Sequence, residues 1–145
     1  MRRSLIVAGA VLAASLVGCS SGGGDVSVGL SEWIVQPDPT SISAGEVTFE
    51  ASNEGSEAHE LVIVKAASAA DLPTDATGKV DESALPAGAF IGEIEEFAAG
   101  STESATFDLE AGNYILFCNI VEEESDGSFE SHFQEGMVAS FTVDE

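Results

Sequence analysis

Four side chains of this sequence have the chemistry to hold a soft metal ion: His59, Cys118, His132 and Met137. The chain has two histidines, two cysteines and two methionines, and Met1 and Cys19 fall in an export segment described below. These four therefore supply every imidazole, thiol and thioether of the remaining domain. An exported protein meets oxidising surroundings, so a lone thiol at Cys118 persists either through burial or through a bound metal. Taken alone, the residue supports both readings equally, because a single cysteine beside an apolar strand is often a small core residue.

Its surroundings favour ligation. Cys118 ends the apolar run Tyr114-Ile115-Leu116-Phe117, His132 and Met137 follow in the next connection, and a last apolar run begins at Val138. His59 opens another such run, His59-Glu60-Leu61-Val62-Ile63-Val64. A thiolate and two imidazoles, with a thioether held more weakly, suit a copper ion that alternates between Cu(I) and Cu(II). Zinc could also occupy the set, although structural zinc sites pair cysteines and histidines at short spacings and methionine is not among their usual ligands.

The elements that must position these donors are strands. Apolar stretches of strand length recur between turn signals, and little reads as an amphipathic helix, which points to an all-β sandwich. The expected strands are 26–30, 33–35, 47–51, 61–66, 90–97, 104–109, 114–119 and 138–143. Pro37-Asp38-Pro39, Ala44-Gly45, Asn53-Glu54-Gly55 and Ala111-Gly112-Asn113 separate several of them, using residues that impose or tolerate turn geometry. Trp33 and the phenylalanines are read as core residues. Two stretches fit no strand. Residues 67–89, with Pro73, Gly78 and Pro86, read as a long connection with at most one helical turn near Ser68 to Leu72, and the acidic segment from Glu122 to Ser131 reads as a surface loop.

With these features in order, the chain resembles the cupredoxins, the family of plastocyanins and azurins. The resemblance rests on Asn53-Glu54-Gly55 ahead of His59, on Ala111-Gly112-Asn113-Tyr114 leading to Phe117-Cys118-Asn119-Ile120, and on His132 with Gly136-Met137 before a strand ending Phe141-Thr142-Val143. It covers essentially the whole mature domain. It implies a Greek-key β-sandwich with one type 1 copper ion, His59, Cys118 and His132 as strong ligands and Met137 as the axial one. Asn53 and Asn119 would steady the ligand loops through hydrogen bonds. One departure stands out. Family members place few residues between the cysteine and the second histidine, whereas here Asn119 to Ser131 intervene. The expected accommodation is a protruding flap, Val121 to Glu130, turning as a hairpin at Asp126-Gly127 and returning His132 to its place. Glu122, Glu123, Glu124, Asp126 and Glu130 would then lie near the copper edge, where they could steer a basic redox partner or form only a solvated run of charge.

Residues 1–18 read as a secretory signal: Arg2 and Arg3 precede an apolar run from Leu5 to Val17 that ends at small residues. The run is shorter than the ~20 apolar residues of a membrane-spanning helix. Leu16-Val17-Gly18-Cys19 resembles a lipoprotein cleavage site, so Cys19 is expected to carry a lipid that anchors an exported protein to the cell membrane. Residues 19–24 then form a flexible tether, and residues 25–145 form the single domain. Loss of Arg2 and Arg3 leaves Lys65 and Lys79 against all 26 acidic residues, which makes nucleic acid and bare anionic lipid poor partners. High surrounding salt would explain such acidity equally well.

Other chemistries find little support. Glu122, Glu124, Asp126 and Gly127 echo a calcium loop, but Phe133 stands where a bidentate glutamate is required. There is no phosphate-cradling glycine loop, Cys-x-x-Cys pair or nucleophile elbow. The expectation is a monomeric one-electron carrier that meets redox protein partners and is not itself an enzyme. Two other readings compete with it: a copper chaperone or store, which should carry more methionine, and a metal-free cupredoxin-like lipoprotein that binds a partner.

Overall fold

The computed structural model describes residues 22–145. The signal segment and Cys19 lie outside the described residues. Within them two sheets face each other, and the strands in chain order are β1 (Gly23–Ser31), β2 (Ile34–Asp38), β3 (Ser41–Ser43), β4 (Gly45–Asn53), β5 (His59–Lys65), β6 (Phe90–Phe97), β7 (Thr102–Leu109), β8 (Gly112–Phe117), β9 (Val121–Glu123), β10 (Phe129–Ser131) and β11 (Val138–Asp144). One sheet has the order β2-β1-β4-β7 and the other β3-β11-β8-β5-β6, with β9 and β10 forming a separate hairpin. Pairing is antiparallel except between β1 and β4 and between β3 and β11. The architecture is the all-β sandwich read from the sequence.

The core follows from side-chain alternation. Along β4, Val47, Phe49 and Ala51 point inward while their neighbours face outward, the period of two that a half-buried strand requires. Val26, Val28 and Leu30 of β1 oppose Leu61 and Ile63 of β5 and Leu116 of β8 in one cluster. β5 and β8 instead read as unbroken apolar runs, and the structure gives the reason: they are buried on both faces. Val62, Val64, Ile115 and Phe117 form a second cluster with Leu72, Val80 and Ala89 of the long connection. That connection is thus a lid on the outer face of the sheet.

Several boundaries differ from the sequence reading. β1 begins at Gly23, so the end of the expected tether is paired strand, and a Cβ on Gly23 would come within 2.1 Å of the Glu46 carbonyl oxygen. Only glycine permits that approach. β2 starts after Trp33 and runs through Pro37 and Asp38, which had read as a turn. This tolerates proline because β2 is an edge strand. The long connection holds two short 3-10 turns rather than one, Ala69–Asp71 capped by Ser68 and Glu82–Ala84 capped by Asp81. β3 and the short helix α1 (His132–Glu135) were not foreseen. Phe90 and Phe129 are 40% and 50% exposed, so the phenylalanines are not uniformly core residues.

The acidic segment is the expected hairpin. β9 pairs with β10 in register from Val121–Ser131 to Glu123–Phe129, and the turn closes with Gly127 at φ +85° and its N–H on the Glu124 carbonyl, 2.8 Å.

Candidate metal centre

Each candidate ligand sits at the edge of an element that fixes it. His59 is the first residue of β5 and pairs with Phe97 of β6. Cys118 follows β8 directly, and its N–H donates to the Met137 carbonyl (3.1 Å). His132 opens α1, whose N-terminus is capped by the Ser131 hydroxyl. The His132 N–H donates to the Ile120 carbonyl (3.0 Å), and the Met137 N–H returns to the His132 carbonyl (2.9 Å). The flap therefore leaves and re-enters the site through a closed set of backbone bonds, and the long spacing between Cys118 and His132 displaces neither residue.

The side chains converge. Nδ1 of His59 lies 3.3 Å from Nδ1 of His132, which in turn lies 3.4 Å from Cys118 Sγ. His59, Cys118, His132 and Met137 are all fully buried, and Cys118 and Met137 belong to one core cluster. Donor atoms of His59, Cys118 and His132 lie within 4.8 Å of one another. Three atoms that carry lone pairs thus meet in a dry interior, an arrangement that is repulsive unless a proton or a metal ion lies among them. Donors about 2.0–2.3 Å from a common ion, the range for imidazole and thiolate ligands, would have separations close to those observed. The residues fit a metal.

Asn53 and Asn119 hold the frame. Asn53 Nδ2 donates to the carbonyls of Glu57 (2.8 Å) and Phe97 (3.2 Å), and its Oδ1 accepts from Gly55 N–H (3.0 Å), shaping the turn that delivers His59. Asn119 Oδ1 accepts from Val80 N–H (2.7 Å), and its Nδ2 donates to the Val80 carbonyl (3.0 Å) and to Glu82 (2.9 Å). This residue ties the long connection to the strand end that bears Cys118.

The electrostatics are those of an apolar site lined outside by carboxylates. Burial pushes the Cys118 thiol up to about 11, against backbone N–H donors that pull it down. Burial likewise lowers the His59 imidazole, with the neighbouring His132 adding to the effect. Glu60, whose Oε1 accepts from Asn119 N–H (3.0 Å), is raised to about 7 by burial. Metal uptake at neutral pH must therefore displace the thiol proton.

Two acids beside the histidines were missed from sequence. Glu32 Oε1 lies 3.5 Å from His59 Nε2 and accepts from the N–H groups of Ser56 and Glu57, both at 2.8 Å. Its own backbone N–H, followed by those of Glu57 and Ser56, brings it down to about 2. Glu57 Oε2 lies 3.8 Å from His132 Nε2. Glu57 stands two residues before His59, which is a faint hint, whereas nothing in the sequence links Glu32 to the site. Of the five flap acids, Glu130 comes to His132 and Glu57, while Glu122, Glu123, Glu124 and Asp126 are exposed along the hairpin. Trp33, read as core, is half-buried and stands edge-on to His132 with ring centroids 5.2 Å apart.

No protein-family model and no curated protein sequence matches the chain. Solved structures do. Dithionite-reduced auracyanin from Roseiflexus castenholzii is similar at 21% identity over 85% of this chain and 97% of that one, with a TM-score of 0.55. Auracyanin A from Chloroflexus aurantiacus, described as a blue copper protein, is similar at 23% identity over 85% of this chain and 100% of its own, also at 0.55. An azurin from Methylomonas sp. strain J is similar at 18% identity over 83% and 98%, with the same score. The fold is that of the cupredoxins.

Proposed function

We propose that the protein is a one-electron carrier holding a single copper ion on His59, Cys118 and His132, with Met137 as the weaker fourth ligand. The observation that carries this reading is the meeting of two imidazole Nδ1 atoms and a thiol sulfur at 3.3 and 3.4 Å inside the core. Copper bound there supplies a Cu(I)/Cu(II) couple, for which soft sulfur and borderline nitrogen donors suit both states. The protein's own residues hold the donors in place. The backbone bonds among Cys118, His132, Met137 and Ile120 fix the ligand loops, and Asn53 and Asn119 brace them from outside. A frame that does not rearrange with oxidation state favours fast transfer, and full burial of the donors excludes substrate and water, so the carrier has no catalytic role of its own.

The lipid on Cys19 would keep the carrier at the outer face of the cell membrane, where it meets redox proteins as a monomer. Glu122, Glu123, Glu124 and Asp126, exposed on the hairpin, and Glu130 at its base give that partner an acidic target, so a basic partner is favoured. Neutralising the exposed four should slow transfer at low salt and remove its salt dependence; unchanged rates dismiss the docking role.

The direct test is stoichiometric addition of Cu(II) to the purified domain. It should give the intense visible absorption of thiolate-bound copper, and Cys118→Ser should abolish it. A folded wild-type sample that stays colourless rejects the proposal.

A further inference from the structure

We propose that Glu57, Glu130 and the outer nitrogen of His132 form a second cation site, which takes a divalent ion of borderline softness such as Zn2+ and shares His132 with the copper centre. It builds on the metal-centre reading above, because His132 would be bound through both ring nitrogens. His132 is fully buried, with Nδ1 directed at His59 and Cys118. Its Nε2 has no hydrogen-bond partner, and neither does Glu57 Oε2, which is itself buried. A separation of 3.8 Å between them is too long for a hydrogen bond. Two ligands about 2.0–2.2 Å from one tetrahedral zinc ion stand about 3.3–3.6 Å apart, so a closure of a few tenths of an ångström brings both onto one ion. Glu130 completes the group: one donor atom each from Glu57, Glu130 and His132 lie within 4.8 Å of one another.

Glu32 provides the contrast. It approaches His59 in a similar way, but its nearer oxygen already accepts two backbone N–H groups and is committed to the turn. Glu57 Oε2 has no such engagement. Glu130 reaches the site only because the hairpin inserted between Cys118 and His132 ends beside it, so the unusual spacing supplies a ligand. An imidazole donor selects zinc-like ions over calcium or magnesium, which prefer oxygen alone. With Nδ1 held by copper, an ion entering at Nε2 displaces the proton on that nitrogen to water and leaves an imidazolate between two cations. The added positive charge beside the copper ligands favours Cu(I).

The test is titration of the copper-loaded protein with Zn2+, followed by equilibrium dialysis with metal analysis and by the Cu(II) electron paramagnetic resonance spectrum. One zinc should bind per copper retained, releasing a proton and altering the copper hyperfine pattern. Glu57→Gln and Glu130→Gln should each weaken zinc binding by about tenfold or more while the colour remains, which also shows that these variants fold. Glu123→Gln, on the exposed strand of the hairpin, should leave it unchanged. Equal zinc uptake by all three variants, an unaltered copper spectrum at saturation, or exchange of copper for zinc would overturn the proposal. Failure to take up copper at all would sink the reading of the metal centre, and with it the sharing of His132, but not the zinc site on Glu57, Glu130 and His132 itself. In that case zinc uptake by copper-free Cys118→Ser protein, dependent on Glu57 and Glu130 or independent of them, decides it.

Discussion

Two excursions leave the sandwich, and they are built on opposite principles. Residues 66–89 hold no regular structure beyond two short turns and one isolated bridge between Thr74 and Val80, yet they carry Leu72, Val80 and Ala89 onto the outer face of β5 and β8 and bury Val62, Val64, Ile115 and Phe117. The β9–β10 hairpin is regular, yet between Glu122 and Phe129 every residue is exposed. The first is core supplied by a loop. The second contributes only where it rejoins the sheet, at Glu130, Ser131 and His132. Regularity of backbone therefore does not reveal which excursion carries stability; the apolar area it removes from water does.

Truncating the first excursion should have the largest effect. Leu72→Ala removes most of a buried side chain from the second cluster and should cost about 2–3 kcal/mol in chemical denaturation. The pin comes next. Asn119→Ala strands the Val80 N–H and carbonyl and should cost about 1–3 kcal/mol, and it should also weaken copper binding, by about tenfold, because the same side chain braces the strand end beside Cys118. A loss of stability with copper affinity unchanged would separate lid from site and weaken the comparison.

How much of this could be read in advance depended on whether the signal was local. The four donors follow from residue type and order, whereas the bracing asparagines and the hairpin at Asp126-Gly127 follow only from the resemblance to the cupredoxins. The core strands follow from alternation, and β5 and β8 stood out as unbroken runs, although what covered their second face was not apparent. Small and acidic residues dominate residues 67–89, so Leu72 and Val80 carry no periodic pattern, and only the tertiary structure shows that they are buried. Glu32 and Glu57 were lost among 26 acids, where no single carboxylate is informative. Trp33 reads as core and does pack against it, but from the edge and only half-buried, which residue type alone does not show.

A pH series sharpens the comparison on the side of the first excursion. Glu60 bonds to Asn119 N–H and is raised from an ordinary 4.5 to about 7. The folded state then holds this proton more tightly than the unfolded chain, so its contribution is fully present below pH 4.5 and is lost as pH rises through 7. His59 works with the other sign. Its lowered value means that the unfolded chain binds the proton more tightly, so stability from this group grows as pH rises toward 6.5. The difference between wild type and Glu60→Gln isolates the first contribution. In metal-free protein the variant should gain on wild type by about 1–2 kcal/mol between pH 5 and pH 8, after allowance for partial exposure. A constant difference would mean that Glu60 ionises freely.

Shortening the hairpin should have the smallest effect. Deleting Glu123 to Phe129 and joining Glu122 to Glu130 through Asn-Gly keeps a two-residue turn of the kind that suits antiparallel strands. It removes exposed side chains, among them Phe129, without opening the core, so stability should change by less than about 1 kcal/mol. The sign should depend on salt. The deletion takes away Glu123, Glu124 and Asp126 from a strongly acidic chain; at low ionic strength the relief of repulsion should stabilise the shortened protein, and the gain should fade as salt is added. His132 should still reach Cys118, because its position is set by the Ile120 and Met137 backbone bonds and by the Ser131 cap, all of which survive. Denaturation at two salt concentrations, together with copper titration, checks both points. If the deletion cost as much as Leu72→Ala, the hairpin would be core after all, and the distinction between the two excursions would fail.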